Sequence, residues 1–361
     1  MAPTDPTVFV RDGRGWLGEG VARRADLPSR EAYRAAAQWW ARHVEERRAA
    51  GDAGPLVAFA AFPFDPASPD GATIIVPERI VPVEAGLPTL SPGAPAPVSS
   101  VNDGIMTPER YLRAVATAVA AIRAGEIEKA VLARDVLIRP RARVDLGALV
   151  DRLASAHPAA AVFAVDGLVG ASPETLVTVH GGVVTARVLA GTAGPGEGEA
   201  LLASDKDRRE HALAARSVVE ALAPHVERLE ASPEPFLLEL PHLTHLATDV
   251  TGVVADGSDV LALVAALHPT AAVAGTPRDA ALERIRGLEP VGRGRYAGPV
   301  GWVDAAGDGE WAIALRCAQR RPDGSFHAFA GAGIMGDSVP ELELAETGLK
   351  LRPILDALGV P

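Results

Sequence analysis

Apolar runs that come in pairs across short turns, with helical segments set between them, constrain this chain more than any other feature. Thr175 to Leu189 reads as strand on both sides of Gly181-Gly182, whose glycines suit the positive φ of a tight hairpin turn. Ala297 to Arg320 reads as a strand pair joined by Ala306-Gly-Asp-Gly309. Lys129 to Ile138, Ala160 to Gly170, Phe236 to Val254 and Ser325 to Ala330 are further strand-like runs. Between them lie segments of helical period. Thr107-Pro108-Glu109 combines a capping hydroxyl, a proline at the first helical position and an acid at the positive dipole end. Leu112, Val115, Val119 and Ile122 then recur on one face up to a stop at Gly125. Leu146 to Ala156, about Glu199 to Leu222, Val260 to Leu267, Asp279 to Leu288 and Pro340 to Leu358 follow, with Ser338 and Glu341 spaced as a capping box for the last. Hairpin-joined strands lie antiparallel, so the expected class is α+β, large antiparallel β-sheets flanked by helices, rather than a doubly wound parallel sheet.

The first hundred residues are less regular. Ser29 to Ala49 reads as a helix and Leu56 to Phe64 as a strand; Ala72 to Val81 reads as another, which Pro77 would confine to a sheet edge or a bulge. The proline-rich Pro82 to Pro97 is the best candidate for a boundary or long connection. The start, Met1-Ala-Pro-Thr-Asp-Pro, shows no basic segment and no apolar core of a leader, and no apolar stretch reaches the ~18–20 residues needed to span a bilayer, so a soluble cytoplasmic protein without membrane contact is expected. The single cysteine, Cys317, allows no intrachain disulfide and sits in an apolar run that suits a buried inert thiol. A net charge of −11 disfavours a nucleic-acid partner, which needs a basic footprint, and 4% aromatics offer little platform for stacked bases.

Against that charge the lysines are conspicuous. Lys and Arg together number 35, yet only Lys129, Lys206 and Lys350 are lysine. Lys129 opens a strand of alanine, valine and leucine; burial there would make it a candidate general base, whereas a strand-end lysine that reaches to solvent is the commoner case. Asp207 and Glu210, and again Glu343 and Glu346, lie three apart on helices and so share a face. Such a pair is usually a solvated face; two pairs could clamp a hard cation such as Mg²⁺ if the helices meet. Ala190-Gly-Thr-Ala-Gly194 and Ala330-Gly-Ala-Gly333 each follow a strand, as tight turns or as backbone amides able to hold a carboxylate, and neither is a dinucleotide fingerprint or a P-loop. No histidine pair has H-E-x-x-H spacing, His242 and His245 would face opposite sides of a strand, and G-x-S-x-G is absent, so a zinc site and that type of serine hydrolase are disfavoured.

Taken in order, Glu128-Lys-Ala-Val-Leu-Ala-Arg134, Gly170-Ala-Ser-Pro-Glu174, Leu189-Ala-Gly-Thr192, Ser204-Asp-Lys-Asp-Arg-Arg-Glu-His211, His245-Leu-Ala-Thr248, Leu267-His-Pro-Thr270, Gly301-Trp302, Gly309-Glu-Trp311, Leu315-Arg-Cys317, Ala330-Gly-Ala-Gly-Ile334 and Glu346-Thr-Gly-Leu-Lys350 resemble the motifs of the chorismate-utilising enzymes, and within them the isochorismate synthases. The resemblance runs from about Pro108 to the C-terminus. It implies the fold of anthranilate synthase component I, one large domain with residues 101–361 as the chorismate-binding catalytic region and 1–100 as its variable N-terminal part.

By the same resemblance Lys129 matches the general base that activates water for attack on C2 of chorismate, and Glu174 the general acid that protonates the departing C4 hydroxyl. That chemistry needs a neutral amine and a protonated carboxyl together, and burial disfavours charge on both. Glu210 and Glu346 match Mg²⁺ ligands, with Asp207 and Glu343 as acidic partners one turn earlier. Arg316 and Lys350 match carboxylate-binding positions, Gly191, Thr192 and Gly333 backbone or hydroxyl contacts, and His268 a histidine beside the substrate. Lysine at position 129, where the ammonia-using relatives usually carry glutamine, implies water chemistry and no glutaminase subunit. The implied activity is isomerisation of chorismate to isochorismate, for menaquinone, siderophore or salicylate biosynthesis. Salicylate synthase, which goes on to eliminate pyruvate, is the alternative: Ala272 resembles the synthase-only pattern, Tyr296 and Leu315 the lyase-competent one. A non-catalytic chorismate-binding protein is the remaining rival, and a monomer is common in the family. Lys206 falls inside a motif and receives no role.

Overall fold

A computed structural model describes residues 5–28, 31–51, 54–93, 97–241 and 243–360. Two antiparallel sheets, each ten-stranded among the described residues, form the molecule. The first runs from Gly275–Thr276 through Lys129–Pro140, Phe326–Ile334, Cys317–Arg320, Leu168–Ser172, Ala161–Val165, Thr7–Arg11 and Arg14–Glu19 to Arg79–Val83, with Val98–Asp103 also on Lys129–Pro140. The second runs from Val226–Ala231 through Thr244–Val254, Val183–Ala193, Thr175–His180, Gly309–Ile313, Pro299–Asp304, Val57–Ala61 and Ala72–Val76 to Arg23–Leu27, with Phe236–Glu239 on Thr244–Val254. The expected α+β class with antiparallel sheets is the one observed.

Alternation along each strand places the core on both faces of the first sheet. Val162 and Ala164 join Val8, Val10 and Leu149 under the helices Leu146–Ala156 and Pro340–Ala357. Ala161, Phe163 and Val165 face the other way, into a larger core shared with Phe59, Val300 and Trp311 of the second sheet. Helices Ala32–Ala49, Asp205–Leu222 and Val260–Leu267 pack along the second sheet. Among the described residues no helix is long and apolar enough to cross a membrane.

The local signals mostly hold. Pro108–Arg123 starts where expected, with the Thr107 hydroxyl accepting the Arg110 N–H at 3.4 Å. Six details differ. The run from Ala297 to Arg320 is three strands rather than a pair, Pro299–Asp304 and Gly309–Ile313 of the second sheet and Cys317–Arg320 of the first. The run from Ala72 breaks at Pro77 into Ala72–Val76 of the second sheet and Arg79–Val83 at the edge of the first; Pro82, which has no N–H to give, sits on that edge. The run from Ala160 is a hairpin, Ala161–Val165 and Leu168–Ser172, turned by Asp166 and Gly167 at φ 50° and 77°. The long helix is interrupted at Ser204, whose hydroxyl accepts the Asp207 N–H at 3.3 Å and caps Asp205–Leu222. Phe236 to Val254 is two strands rather than one. Ser338 forms no capping box with Glu341: its hydroxyl accepts the Met335 N–H at 3.0 Å, and the helix starts at Pro340 without a side-chain cap. Residues 29 and 30 of the expected first helix, residues 94–96 of the proline-rich stretch, and residue 242 lie outside the described residues. Of the proline-rich stretch, Pro82 belongs to the strand Arg79–Val83, and the next strand in sequence, Val98–Asp103, is in the same sheet. Cys317 is buried, its thiol donating to the Ala314 carbonyl at 3.2 Å, and burial pushes its pKa up.

Candidate active site

The site forms where the Lys129–Pro140 and Phe326–Ile334 strands of one sheet approach the Val183–Ala193 and Thr244–Val254 strands of the other, closed by helices Asp205–Leu222 and Pro340–Ala357. Two glycines let the helix Asp205–Leu222 come close to a strand of each sheet. Gly191 sits at a bulge in Val183–Ala193 with φ 77°, and a Cβ there would come within 3.1 Å of the Asp207 Cβ. A Cβ on Gly333 would fall 1.9 Å from Glu210 Oε1 and 3.2 Å from Lys129 Cε. The second glycine cluster therefore lies within a strand, not after one, and its missing side chain is the space that Glu210 and Lys129 occupy.

Lys129 is 0% exposed, and its Nζ stands 3.1 Å from Glu210 Oε1 without an aligned hydrogen bond. Glu210 is held by its helix, which His211 ties to the sheet through the Ala190 carbonyl at 3.1 Å and the Thr248 hydroxyl at 2.7 Å. Glu174 follows the Leu168–Ser172 strand, its N–H donating to the Ser172 hydroxyl at 3.2 Å. Burial pushes the Glu174 pKa up to about 8, against the opposing pull of Lys129, Arg316 and Lys350, so its carboxyl is mostly protonated at neutral pH.

Arg316 adopts φ 50° and places Nη2 3.1 Å from His245 Nε2. A guanidinium only donates, so Nε2 accepts and the imidazole proton sits on Nδ1, 3.2 Å from the Gly191 carbonyl. Burial, then Arg316 and Lys350, hold the His245 pKa well below its usual value, which keeps the ring neutral. Thr192 touches the same ring, its hydroxyl 3.1 Å from Nδ1.

The acidic pairs meet three lysines. Lys129 faces Glu210, Lys206 Nζ donates to Glu343 Oε1 at 2.7 Å, and Lys350 pairs with Glu346 while donating to the Gly331 carbonyl at 3.1 Å. Asp207 takes the Ser204 hydroxyl. Burial, with Glu210 and Glu346 nearby, raises the Asp207 pKa; burial and Glu346 raise that of Glu343. Among the described residues no three His, Cys, Asp or Glu side chains gather closely enough to hold a metal ion by themselves.

A cavity with about 550 Å³ of empty space, part of it open to solvent, is lined by Glu174, Gly191, Thr192, Glu210, Arg316, Gly333 and Lys350. Lys129, Asp207, Glu343 and Glu346 stand outside that lining: Lys129 faces Glu210 and Glu346 pairs with Lys350, both in the lining, while Asp207 takes the Ser204 hydroxyl and Glu343 the Lys206 ammonium. His268, expected beside a substrate, lies outside that lining. It ends the helix Val260–Leu267 with Nε2 2.9 Å from the Phe64 carbonyl, packs near Tyr33 and Phe64, and does not line the cavity; burial pushes its pKa down to about 4. The histidine in the lining is His245, to which the sequence assigns no role.

Sequence reasoning also missed Arg293. Its guanidinium donates to the Val131 carbonyl at 2.6 Å, the Val273 carbonyl at 2.9 Å and the Glu289 carboxylate, and Glu289 accepts the Ala133 N–H at 2.8 Å. The pair thus braces the strand that carries Lys129. Four residues apart, Glu289 and Arg293 look like an ordinary surface ion pair; only their burial shows otherwise.

A family model described as chorismate binding enzyme matches residues 89–359. The chain belongs to the chorismate binding enzyme family. Its similarity to the salicylate biosynthesis isochorismate synthase of Pseudomonas aeruginosa is 41% identity over 257 residues, 68% of this chain and 54% of that one. The chain thus spans about half the length of that relative. To the isochorismate synthase EntC of Escherichia coli it is 35% identical over 332 residues, 87% of this chain and 84% of the relative. Among solved structures, the Bacillus anthracis protein described as a 2,3-dihydroxybenzoate-specific isochorismate synthase, DhbC, superposes with a TM-score of 0.87 at 31% identity, covering 98% of this chain and 96% of that one. The similarity thus extends through the N-terminal strands as well as the matched family segment.

Proposed function

We propose that the protein is a Mg²⁺-dependent isochorismate synthase. The observation that carries this reading is Glu174, a buried carboxyl kept protonated at neutral pH at the wall of a cavity that also presents Arg316 and Lys350. Isomerising chorismate requires a proton acceptor for water at C2 and a proton donor for the hydroxyl at C4. Lys129 takes the proton from the attacking water, Glu174 gives its proton to the leaving hydroxyl, and one water is consumed as another is released. Arg316, oriented by neutral His245, and Lys350 bind the two carboxylates of the substrate.

Glu210 and Glu346 would hold the cation, with Asp207 and Glu343 beside them. The donor set fits: every group is a carboxylate oxygen, and burial first, with neighbouring carboxylates adding to it, raises the pKa values of Asp207 and Glu343, a cost to their negative charge that a dication relieves. Mg²⁺ commonly takes one or two carboxylates and completes its shell with water and substrate oxygens, so a site without three converging side chains suits it. When bound, it supplies the positive charge that lets a dianionic substrate lie against an acidic wall.

Names among the relatives associate the activity with salicylate or 2,3-dihydroxybenzoate, consistent with supply of siderophore, salicylate or menaquinone biosynthesis. The test is chromatographic identification of products from chorismate with and without Mg²⁺. Isochorismate is expected, only with the cation. Stoichiometric salicylate and pyruvate would replace this reading with salicylate synthase, and binding without turnover would leave a chorismate-binding protein.

A further inference from the structure

We propose that Lys206 is a tethered stand-in for the cation: its ammonium neutralises Glu343 while no metal is bound, is displaced when metal enters, and so sets the affinity of the site. The inference rests on the metal reading above and goes beyond it by assigning a residue that makes no contact with the cavity.

Three observations converge on Lys206. The chain holds only three lysines, and each is paired with one of the clustered carboxylates. Two of the three have other work: Lys129 is fully buried, and Lys350 lines the cavity and holds the Gly331 carbonyl. Lys206 has only the carboxylates. It lies in the first turn of Asp205–Leu222, one residue before Asp207 and four before Glu210, so it shares a helix face with Glu210. From there it reaches across to Glu343 on Pro340–Ala357 at 2.7 Å.

Exposure separates a displaceable cation from a fixed one. The Glu343 side chain is 2% exposed, whereas that of Lys206 is 28% exposed. A lysine in that position can swing its ammonium into water on a flexible stem at small cost. Lys129, with no exposure, cannot. Metal and ammonium therefore compete for the same negative charge, and the free energy of breaking the Lys206–Glu343 pair is subtracted from metal binding. A lysine that merely bridged the two helices would act in the opposite sense, since its loss would loosen the carboxylates and weaken binding.

The test is made on the substrate-free full chain. Mg²⁺ binding by titration calorimetry, and Mn²⁺ binding by electron paramagnetic resonance, are compared for wild type, Lys206→Met and Lys206→Arg. Lys206→Met is expected to bind on the order of tenfold tighter, Lys206→Arg like wild type. In chelator, Lys206→Met should melt below wild type, and the gap should close at saturating Mg²⁺. A second readout needs no variant: reductive methylation of wild type followed by mass spectrometry, where saturating Mg²⁺ should raise labelling of Lys206 several-fold as the ammonium is released. Binding by Lys206→Met that is equal to or weaker than wild type overturns the proposal. So does Lys206 labelling that Mg²⁺ leaves unchanged or lowers, which decides the matter if the variant does not fold. Glu346→Gln separates the two readings. If wild type binds neither metal, or binds it as Glu346→Gln does, the metal reading falls and takes this one with it. If binding depends on Glu346 but not on Lys206, only the stand-in falls.

Discussion

Replacing Glu174 by glutamine should make the protein inactive and, at neutral pH, more stable. A carboxyl that stays protonated in the fold while the unfolded chain ionises carries a penalty that grows with pH. The ordinary value is 4.5 and the folded value about 8. Stability from this group is therefore fully present below about 4.5, falls across the window between the two values, and stops falling above about 8. Each pH unit inside the window removes about 1.4 kcal/mol, so by pH 7 the accumulated cost is at most about 3 kcal/mol. Glutamine keeps the shape and cannot ionise, so Glu174→Gln should recover much of that at pH 7 and little at pH 4.5. Urea unfolding from pH 4.5 to 8.5 measures both slopes. Turnover should fall by roughly 10²–10⁴, the usual worth of a general acid, and wild-type turnover should decline as pH rises through about 8. A variant no more stable than wild type at pH 7.5, with the same dependence on pH, would refute the reasoning, because Glu174 would then already be ionised in the fold.

Lys129→Ala should lower kcat by a comparable ~10²–10⁴ while chorismate still binds, as shown by equilibrium dialysis; retained turnover removes the base from the mechanism. Gly333→Ala forces a methyl into the place of the Glu210 carboxylate, and should cost ~1–3 kcal/mol in urea unfolding and weaken Mg²⁺ binding in calorimetry. Arg293→Met leaves Glu289 buried without its partner, with an expected loss of about 3–5 kcal/mol in thermal or urea unfolding.

Elements with a local cause were legible in the sequence. A threonine and a proline set the start of Pro108–Arg123, and the paired glycines 181 and 182 set a hairpin, because caps and positive-φ turns are decided within a few residues. Asp166-Gly167 carries the same kind of signal, masked by the apolar run around it. The reading failed where burial decides. Glu289 and Arg293 are four apart in the sequence whether they lie on the surface or in the core. His268 and His245 sit in equally recognisable motifs, yet one is turned to a backbone carbonyl and the other to Arg316. Lys206 stayed without a role because its partner is 137 residues away. The sequence leaves open whether the two acidic helices meet, and only the packed chain shows that three lysines stand among their carboxylates.

The strands that precede residue 89 bear on what counts as a unit of folding. The segment matched by the family begins at residue 89, after three strands of each sheet. A polypeptide trimmed to that segment would keep every residue assigned to the chemistry and lose Thr7–Arg11, Arg14–Glu19 and Arg79–Val83 from one sheet, and Arg23–Leu27, Val57–Ala61 and Ala72–Val76 from the other. Its new borders would be Ala161–Val165 and Pro299–Asp304, apolar strands with an unpaired row of backbone donors and acceptors. Open borders of that composition recruit further chains rather than water. The catalytic motif and the closed molecule therefore have different minimum lengths, and the early residues act as a seal on the two sheets.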